Sequence, residues 1–272
     1  FMLQLDVLLI TPPSRIEVYQ GLSNDYAAIE PPVWSMLIAK YLFNLNYNIE
    51  ILDAEAENLT HEQTAELIAK KNPKLAVFVI YGQQPSSSTQ CMPGGRKTCK
   101  ILKEITSSSI KTIIMGTHSS ALPKKTLEEE PYDFVCQGEG PITISELVKA
   151  IKENKKDFSK IPGLWYFDND NNIKNNIRSK MFENLDKNLP GQGWNFLDMS
   201  KYKAHNWHTF GRLDSRNKYA SLQTSLGCPF KCSFCCINAP FERNTIRSWS
   251  PKHIVNQIKT LVEEYGIFNI KI

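Results

Sequence analysis

The sequence predicts an α/β protein: a doubly wound parallel sheet of five strands, then a bridge, then the opening of a (β/α) barrel. Three observations predict it. Apolar runs and segments of helical period alternate five times over residues 1–155. The apolar runs are continuous, as strands covered on both faces must be, and parallel neighbours need crossover helices to provide that cover. After a stretch of different character over 156–215, a strand, a helix and a strand follow again in 216–272.

The first run, LQLDVLLI at 3–10, stops at TPPS, where two prolines forbid both helix and ladder, so a strand and a loop are expected. From Pro32, the residues Val33, Met36, Leu37, Ala39, Lys40, Tyr41 and Leu42 fall at helical spacing until Asn44 to Asn48, and NIEILDA reads as the second strand. Thr60 with Gln63 has the form of a capping box ahead of a helix through Lys71. Pro73 leads into the third strand, LAVFVIYG. A helix over Arg96 to Ile105, the strand IKTIIMG, a short helix ending near Glu130, the strand YDFVCQ and a helix from Ile142 to Lys152 complete the series. Within 156–215, LWYFDNDNNIKNN reads as a hairpin with an Asn-rich turn, and Pro190, Gly191 and Gly193 mark irregular chain, so this segment is expected to bridge two domains. YASLQTS then alternates as a strand, SPKHIVNQIKTLVEEYG is a capped helix ended by Gly, and IFNIKI begins another strand.

Sheets of this kind bind ligands outside the carboxyl ends of their strands. The loops there are TPPS, YGQQPSSS, GTHSSALP and QGEGP, rich in small residues that let a large ligand approach the backbone. Candidate ligand contacts are therefore Thr11, Pro12, Ser14, Gly82, Gly116, Thr117, His118, Gly138, Glu139 and Gly140. Glu139 has two readings of equal weight, a tight turn or an acceptor for ligand amides. PGGRKT at 93–98 lacks the spacing of a phosphate loop and is set aside. His205 and His208 are spaced like a metal pair but lack a helix and a third ligand, so they are read as ordinary polar residues.

The 272 residues allow two domains, and 42% hydrophobic with 22% charged residues is an ordinary globular balance that excludes wholesale disorder. No stretch approaches the ~18 apolar residues of a membrane span and the start lacks the zones of a secretory signal, so a cytoplasmic protein is expected. Phe1 before Met2 and a final strand cut short at Ile272 suggest a fragment. The formal charge of +4 is concentrated in 216–272, which holds eight Lys or Arg against three Asp or Glu; that density is too low for a nucleic-acid surface.

Seven cysteines in such a chain argue for metal or redox chemistry over disulfides. Four of them crowd into LGCPFKCSFCCINAP, with Cys228, Cys232 and Cys235 spaced C-x3-C-x2-C. Structural zinc would call for a second cysteine or histidine pair, and Cys91 and Cys99 are too far apart to supply it. Three soft thiolates on one loop instead suit an iron–sulfur cluster with one iron left open.

C-x3-C-x-aromatic-C resembles the cluster motif of the radical SAM enzymes. The resemblance implies a [4Fe–4S] cluster on Cys228, Cys232 and Cys235, S-adenosylmethionine chelated at the open iron, and Phe234 beside the adenine. Cys236 falls outside the motif and is expected to face away from the cluster as a structural thiol. A flavodoxin/Rossmann-like sheet ahead of such a barrel is similar to the cobalamin-binding radical SAM proteins, as are GTHSSALPKKTLEEEPYDFVCQGEGP and the bridge from WNFLDMSKYKAHNWHTF to YASLQTSLGCPFKCSFCCINAPF. Implied with it are a bound cobalamin, a small-molecule or peptide substrate, and a reductase, flavodoxin or ferredoxin as electron donor. Cobalt-ligating histidines of cobalamin domains lie in D-x-H-x-x-G; His118 has Gly116 two before and Ala121 three after, so it is expected to be a polar wall or cap residue. Methyl transfer to an unactivated carbon is the leading reaction, ring formation or rearrangement the second, and a corrinoid-binding regulator with a structural metal the rival from another class.

Overall fold

The computed structural model describes residues 4–20, 27–82, 87–204, 218–241 and 243–272. His205 and His208 lie outside the described residues. Five parallel strands, β1 (Val7–Thr11), β2 (Ile49–Asp53), β3 (Leu75–Val79), β4 (Lys111–Met115) and β5 (Phe134–Cys136), stand in the order β2-β1-β3-β4-β5. The hairpin β6 (Leu164–Phe167) and β7 (Ile173–Asn175) extends the sheet antiparallel from β5. The sheet is thus mixed and seven-stranded, which corrects the five-strand expectation. Asp168 explains the turn of that hairpin: its carboxylate accepts from the N–H groups of Asp170 and Asn172.

Alternate residues of the central strands serve opposite faces. Val7, Leu9, Val77, Val79, Ile113 and Met115 pack with α2 (Val33–Asn44) and α7 (Pro141–Lys152). Leu8, Ile10, Ala76, Phe78 and Ile114 pack against α3 (His61–Lys71) and α4 (Ser87–Ile105). Both faces are dry, which is why the strands carry no polar alternation. The capping box at Thr60 forms as the sequence predicts: Thr60 Oγ1 accepts from Gln63 N–H and Gln63 Oε1 accepts from Thr60 N–H.

Local pattern misread some segments. The helix expected from Arg96 begins at Ser87 and runs through Pro93. PGGRKT therefore lies inside α4, where a Cβ on Gly94 would come within 2.1 Å of Pro13 O; the glycine lets the helix press on the loop after β1. The loop expected after that strand contains a short helix, α1 (Arg15–Tyr19), whose first N–H groups are taken by a carboxylate 40 residues away: Glu55 Oε1 accepts from Ser14 N–H at 2.5 Å and Arg15 N–H at 2.6 Å. Between β4 and β5 stand two short helices, α5 (Thr117–Ala121) and α6 (Pro123–Glu129), where one was expected.

Further along, α8 (Leu185–Asn188) lies in the connecting segment, and β8 (Tyr219–Ser221) pairs in parallel with β11 (Asn269–Lys271) across the crossover helix α9 (Pro251–Glu263). The strand expected over 219–225 ends at Ser221, and Ser225–Gly227 forms a separate strand, β9, antiparallel to β10 (Ile246–Ser248). The cysteine loop hangs from this second hairpin. Gly227, at φ +87°, makes its closure possible, since a Cβ there would meet Thr245 O at 2.2 Å.

α2 joins everything. Ile38, Ala39 and Leu42 face the sheet, Met36 packs with Trp194, Tyr202, Ala220 and Leu261, and Leu37 packs with Leu189, Leu226, Phe241 and Trp249. A helix with apolar residues on several sides is buried on several sides, with only its C-terminal turn, at Phe43 and Asn44, exposed. No helix among the described residues is long and apolar enough to cross a membrane.

Candidate functional site

In the strand order β2-β1-β3, the chain leaves β1 and β3 toward opposite faces, and a crevice opens between their carboxyl ends. A cavity of about 510 Å³ occupies it. From the sheet side it is lined by Thr11, Pro12, Ser14, Tyr81, Gly82 and Thr117. Its opposite wall is Leu222, Leu226, Gly227, Ile237, Pro240 and Phe241, the stems of the cysteine loop. The start of α2 and the extended residues before it form the floor.

Aromatic and small polar groups divide this surface. The rings of Trp34 and Tyr81 stack at 4.6 Å and 12°, with Phe241 tilted against Trp34 at 6.3 Å. Thr11 Oγ1, Ser35 Oγ and Tyr81 OH are buried without a hydrogen-bond partner, and all three residues line the cavity. Burial pushes the Tyr81 hydroxyl well above its ordinary pKa, so it stays a neutral donor. Flat apolar walls with a few unpaired hydroxyls suit a macrocycle fringed with amides. On that chemistry the residues present fit a corrinoid.

The acidic groups of the cavity are already engaged. Glu55 accepts the two α1 N–H groups and sits 3.6 Å from Arg15 Nε. Glu30 accepts from Lys271 Nζ at 3.1 Å and from Ser221 Oγ at 3.3 Å. Asp53, at the end of β2, accepts from Tyr202 OH at 3.0 Å and from Glu55 N–H at 3.2 Å. Burial raises its pKa to about 7 against the pull of those hydrogen bonds, so near neutral pH it is partly protonated.

The remaining sequence-predicted residues on the sheet side lie beyond the cavity lining. Gly116 precedes α5, and His118 is held by Thr89 Oγ1 at 3.0 Å from its Nδ1, while its own N–H donates to Ser88 Oγ. Burial lowers the His118 pKa. Glu139, between Gly138 and Gly140, is buried and forms a bidentate ion pair with Arg247 of β10, one contact being Arg247 Nη1 to Oε2 at 3.2 Å. Arg247 also donates to Phe182 O at 2.8 Å and lies 5.3 Å over the Phe241 ring. One guanidinium thus ties the loop after β5, the connecting segment and the hairpin carrying the cysteines. Nothing local in the sequence distinguishes Arg247; only the fold brings it to Glu139, 108 positions away.

On the cysteine loop, Cys232 and Cys235 are exposed, Cys228 and Cys236 half-buried, and none of the four is in a disulfide. Phe234 is 90% exposed. Among the described residues no group of three or more potential metal ligands is gathered closely enough to hold an ion. The loop is organised by its backbone instead: Cys235 N–H donates to Cys232 O, and Asn238 brackets Cys228 by accepting from its N–H at 3.0 Å and donating to its carbonyl at 2.8 Å. Three accessible thiols on a short loop are a donor set fit for a thiophilic cluster that wraps the loop around itself. The other cysteines are unsuited: burial lifts both the Cys99 and Cys136 thiols to about 12, and Cys91 also rises.

Residues 20–148 match the family model of the B12 binding domain. Over 268 residues, 98% of the chain and 52% of the relative, the chain is 27% identical to an uncharacterized methyltransferase of Pyrococcus horikoshii. It is 25% identical over 253 residues to the anaerobic magnesium-protoporphyrin IX monomethyl ester cyclase of Rubrivivax gelatinosus, covering 92% of this chain and 42% of that one. Among solved structures, the cobalamin-dependent S-adenosylmethionine radical enzyme OxsB superposes with a TM-score of 0.67 at 18% identity, over 98% of this chain and 33% of that chain. The radical S-adenosylmethionine methyltransferase TsrM of Kitasatospora setae gives 0.65 at 18% identity, over 98% and 47%. The chain spans about half the length, or less, of these relatives. Fold and site together define an α/β protein whose sheet domain matches the B12 binding model over residues 20–148, with a cysteine-bearing α/β unit packed beside it. The chain shares the fold of OxsB and TsrM over nearly its whole length.

Proposed function

We propose that the chain is the cofactor-binding portion of a cobalamin-dependent radical SAM enzyme, with residues 1–155 holding cobalamin, 156–215 bridging, and 216–272 opening the barrel. The observation that carries this reading is the shared cavity: the sheet loops and the stems of the cysteine loop line one space, so ligands held from the two sides would meet there. When bound, a [4Fe–4S] cluster supplies the electron that cleaves S-adenosylmethionine to a 5′-deoxyadenosyl radical, and cobalamin supplies methyl transfer to an unactivated carbon.

Cys228, Cys232 and Cys235 would be the cluster ligands, and Phe234 would fold over the adenine. Thr11, Pro12, Ser14, Gly82 and Thr117 would hold the corrinoid by close backbone approach and hydroxyl contacts. Gly116, His118, Gly138 and Gly140 shape the loops behind them, and Glu139 acts through Arg247 to fix how far apart the two walls stand. Trp34, Tyr81 and Phe241 would exclude water from the space between. A small-molecule or peptide substrate, a reductase, flavodoxin or ferredoxin as electron donor, and a cytoplasmic setting complete the proposal. The cyclase relatives favour a second outcome on the same machinery, ring formation on the substrate.

The test is anaerobic reconstitution of the full-length chain with iron and sulfide, followed by reduction with S-adenosylmethionine present. We expect a [4Fe–4S] absorption envelope and release of 5′-deoxyadenosine, both lost in Cys232→Ala. A protein that takes up tetrahedral zinc and leaves S-adenosylmethionine intact would instead be a corrinoid-binding regulator.

A further inference from the structure

The N-terminus of α2 is unusually bare. Its N-cap is Pro32, which offers neither a side-chain acceptor nor a backbone N–H, and no side-chain cap forms. The first bond of the helix runs from Met36 N–H to Pro32 O, and the N–H groups of Val33, Trp34 and Ser35 have no partner among the described residues. Ser35 stands at the third helical position, from which a polar side chain ordinarily reaches back to the N-cap N–H. With proline there that partner does not exist. The Ser35 side chain is fully buried, its hydroxyl has no hydrogen bond, and the residue lines the cavity along with Pro31, Pro32, Val33 and Trp34.

Glu30, Asp53 and Glu55 also line the cavity, and each carboxylate is engaged by donors of its own. Lys271 and Arg15, the lining cations, are paired to Glu30 and Glu55. The start of this 12-residue helix is therefore the unneutralised positive pole of the cavity, with a spare hydroxyl donor beside it. We propose that the α2 N-terminus and Ser35 Oγ form a subsite for an anionic oxygen group, a phosphate or carboxylate carried by a molecule bound in the cavity. Resting on the cofactor reading above, the inference adds the point at which the cofactor is anchored. Two molecules of that reading carry such a group: the phosphodiester of the cobalamin tail and the carboxylate of S-adenosylmethionine.

Ser35→Asp tests it, because a carboxylate in the first turn favours the helix while repelling an anion at its end. Affinities of reconstituted full-length protein are measured in two pairs: cobalamin against cobinamide, which keeps the corrin but lacks the phosphodiester, and S-adenosylmethionine against its decarboxylated analogue. We expect Ser35→Asp to weaken the anionic member of one pair by about tenfold or more, with its partner unchanged. Ser35→Ala, which keeps the N–H groups, should weaken the same member by roughly threefold. Loss confined to cobalamin assigns the subsite to the phosphodiester, and loss confined to S-adenosylmethionine to the carboxylate. Equal effects on both members of each pair, or none in either variant, would overturn the subsite. Wild-type protein that binds neither cobalamin nor S-adenosylmethionine would remove the cofactor reading itself and the subsite with it.

Discussion

The two walls of the cavity are built by different means. On the sheet side, the loops are held by a core packed on both faces, by the Glu55 carboxylate under α1 and by the buried Glu139–Arg247 pair. On the cysteine side, the thiols stand on an exposed loop held by a hairpin, by Asn238 and Asn244, and by Arg178 at its far end. The sheet wall is fixed by packing and pairing between segments distant in the chain, whereas the cysteine loop is held mainly by contacts close to it in sequence.

Substitutions can break or sharpen this contrast. Arg247→Met should have the largest effect on stability, because it leaves Glu139 buried and unpaired: we expect a loss of about 3–5 kcal/mol in urea unfolding. Replacing both partners, Glu139→Gln with Arg247→Met, should recover much of it while loosening the relation between the walls.

Asp53 adds a pH signature to the sheet side. Its folded pKa of about 7 lies above the unfolded value near 3.8, so the folded state binds the extra proton in between. Stability from this group is fully present below pH 4 and is lost as pH rises through about 7, a fall on the order of 2–4 kcal/mol. Asp53→Asn should flatten that part of the pH profile. Next in size is Thr60→Ala, which removes one side of the capping box and should cost about 1 kcal/mol.

The cysteine side should respond in the opposite way. Cys228→Ser, Cys232→Ser and Cys235→Ser combined, or Phe234→Ala alone, should move the unfolding midpoint of metal-free protein by less than ~0.5 kcal/mol. The cysteine variant should nonetheless abolish iron uptake. A loss comparable to that of Arg247→Met would show that the loop is preformed and would erase the contrast.

Much of this was legible in the sequence where a local pattern carries its own cause. Continuous apolar runs gave the parallel strands, Thr60 and Gln63 gave a helix start, and C-x3-C-x2-C set the three thiols on one loop. Thr11, Pro12, Ser14, Gly82 and Thr117, named from the strand ends, line the cavity, because parallel sheets put their crevice there. The misses share one cause. The hairpin joining the sheet, α1, the early start of α4 and the roles of Arg247, Asn238, Trp34 and Ser35 all depend on partners distant in the chain.

By itself, then, the amino-acid order determined the five parallel strands and most of the helices, and which thiols share one loop. These follow from steric, hydrophobic and chemical properties of near neighbours. Tertiary structure alone decided that the loops of the sheet and the stems of the cysteine hairpin face one cavity, that Glu139 is paired from 108 positions away, and that the first residues of a proline-capped helix line that space. Burial and long-range pairing are properties of the packed whole, and no window of sequence contains them.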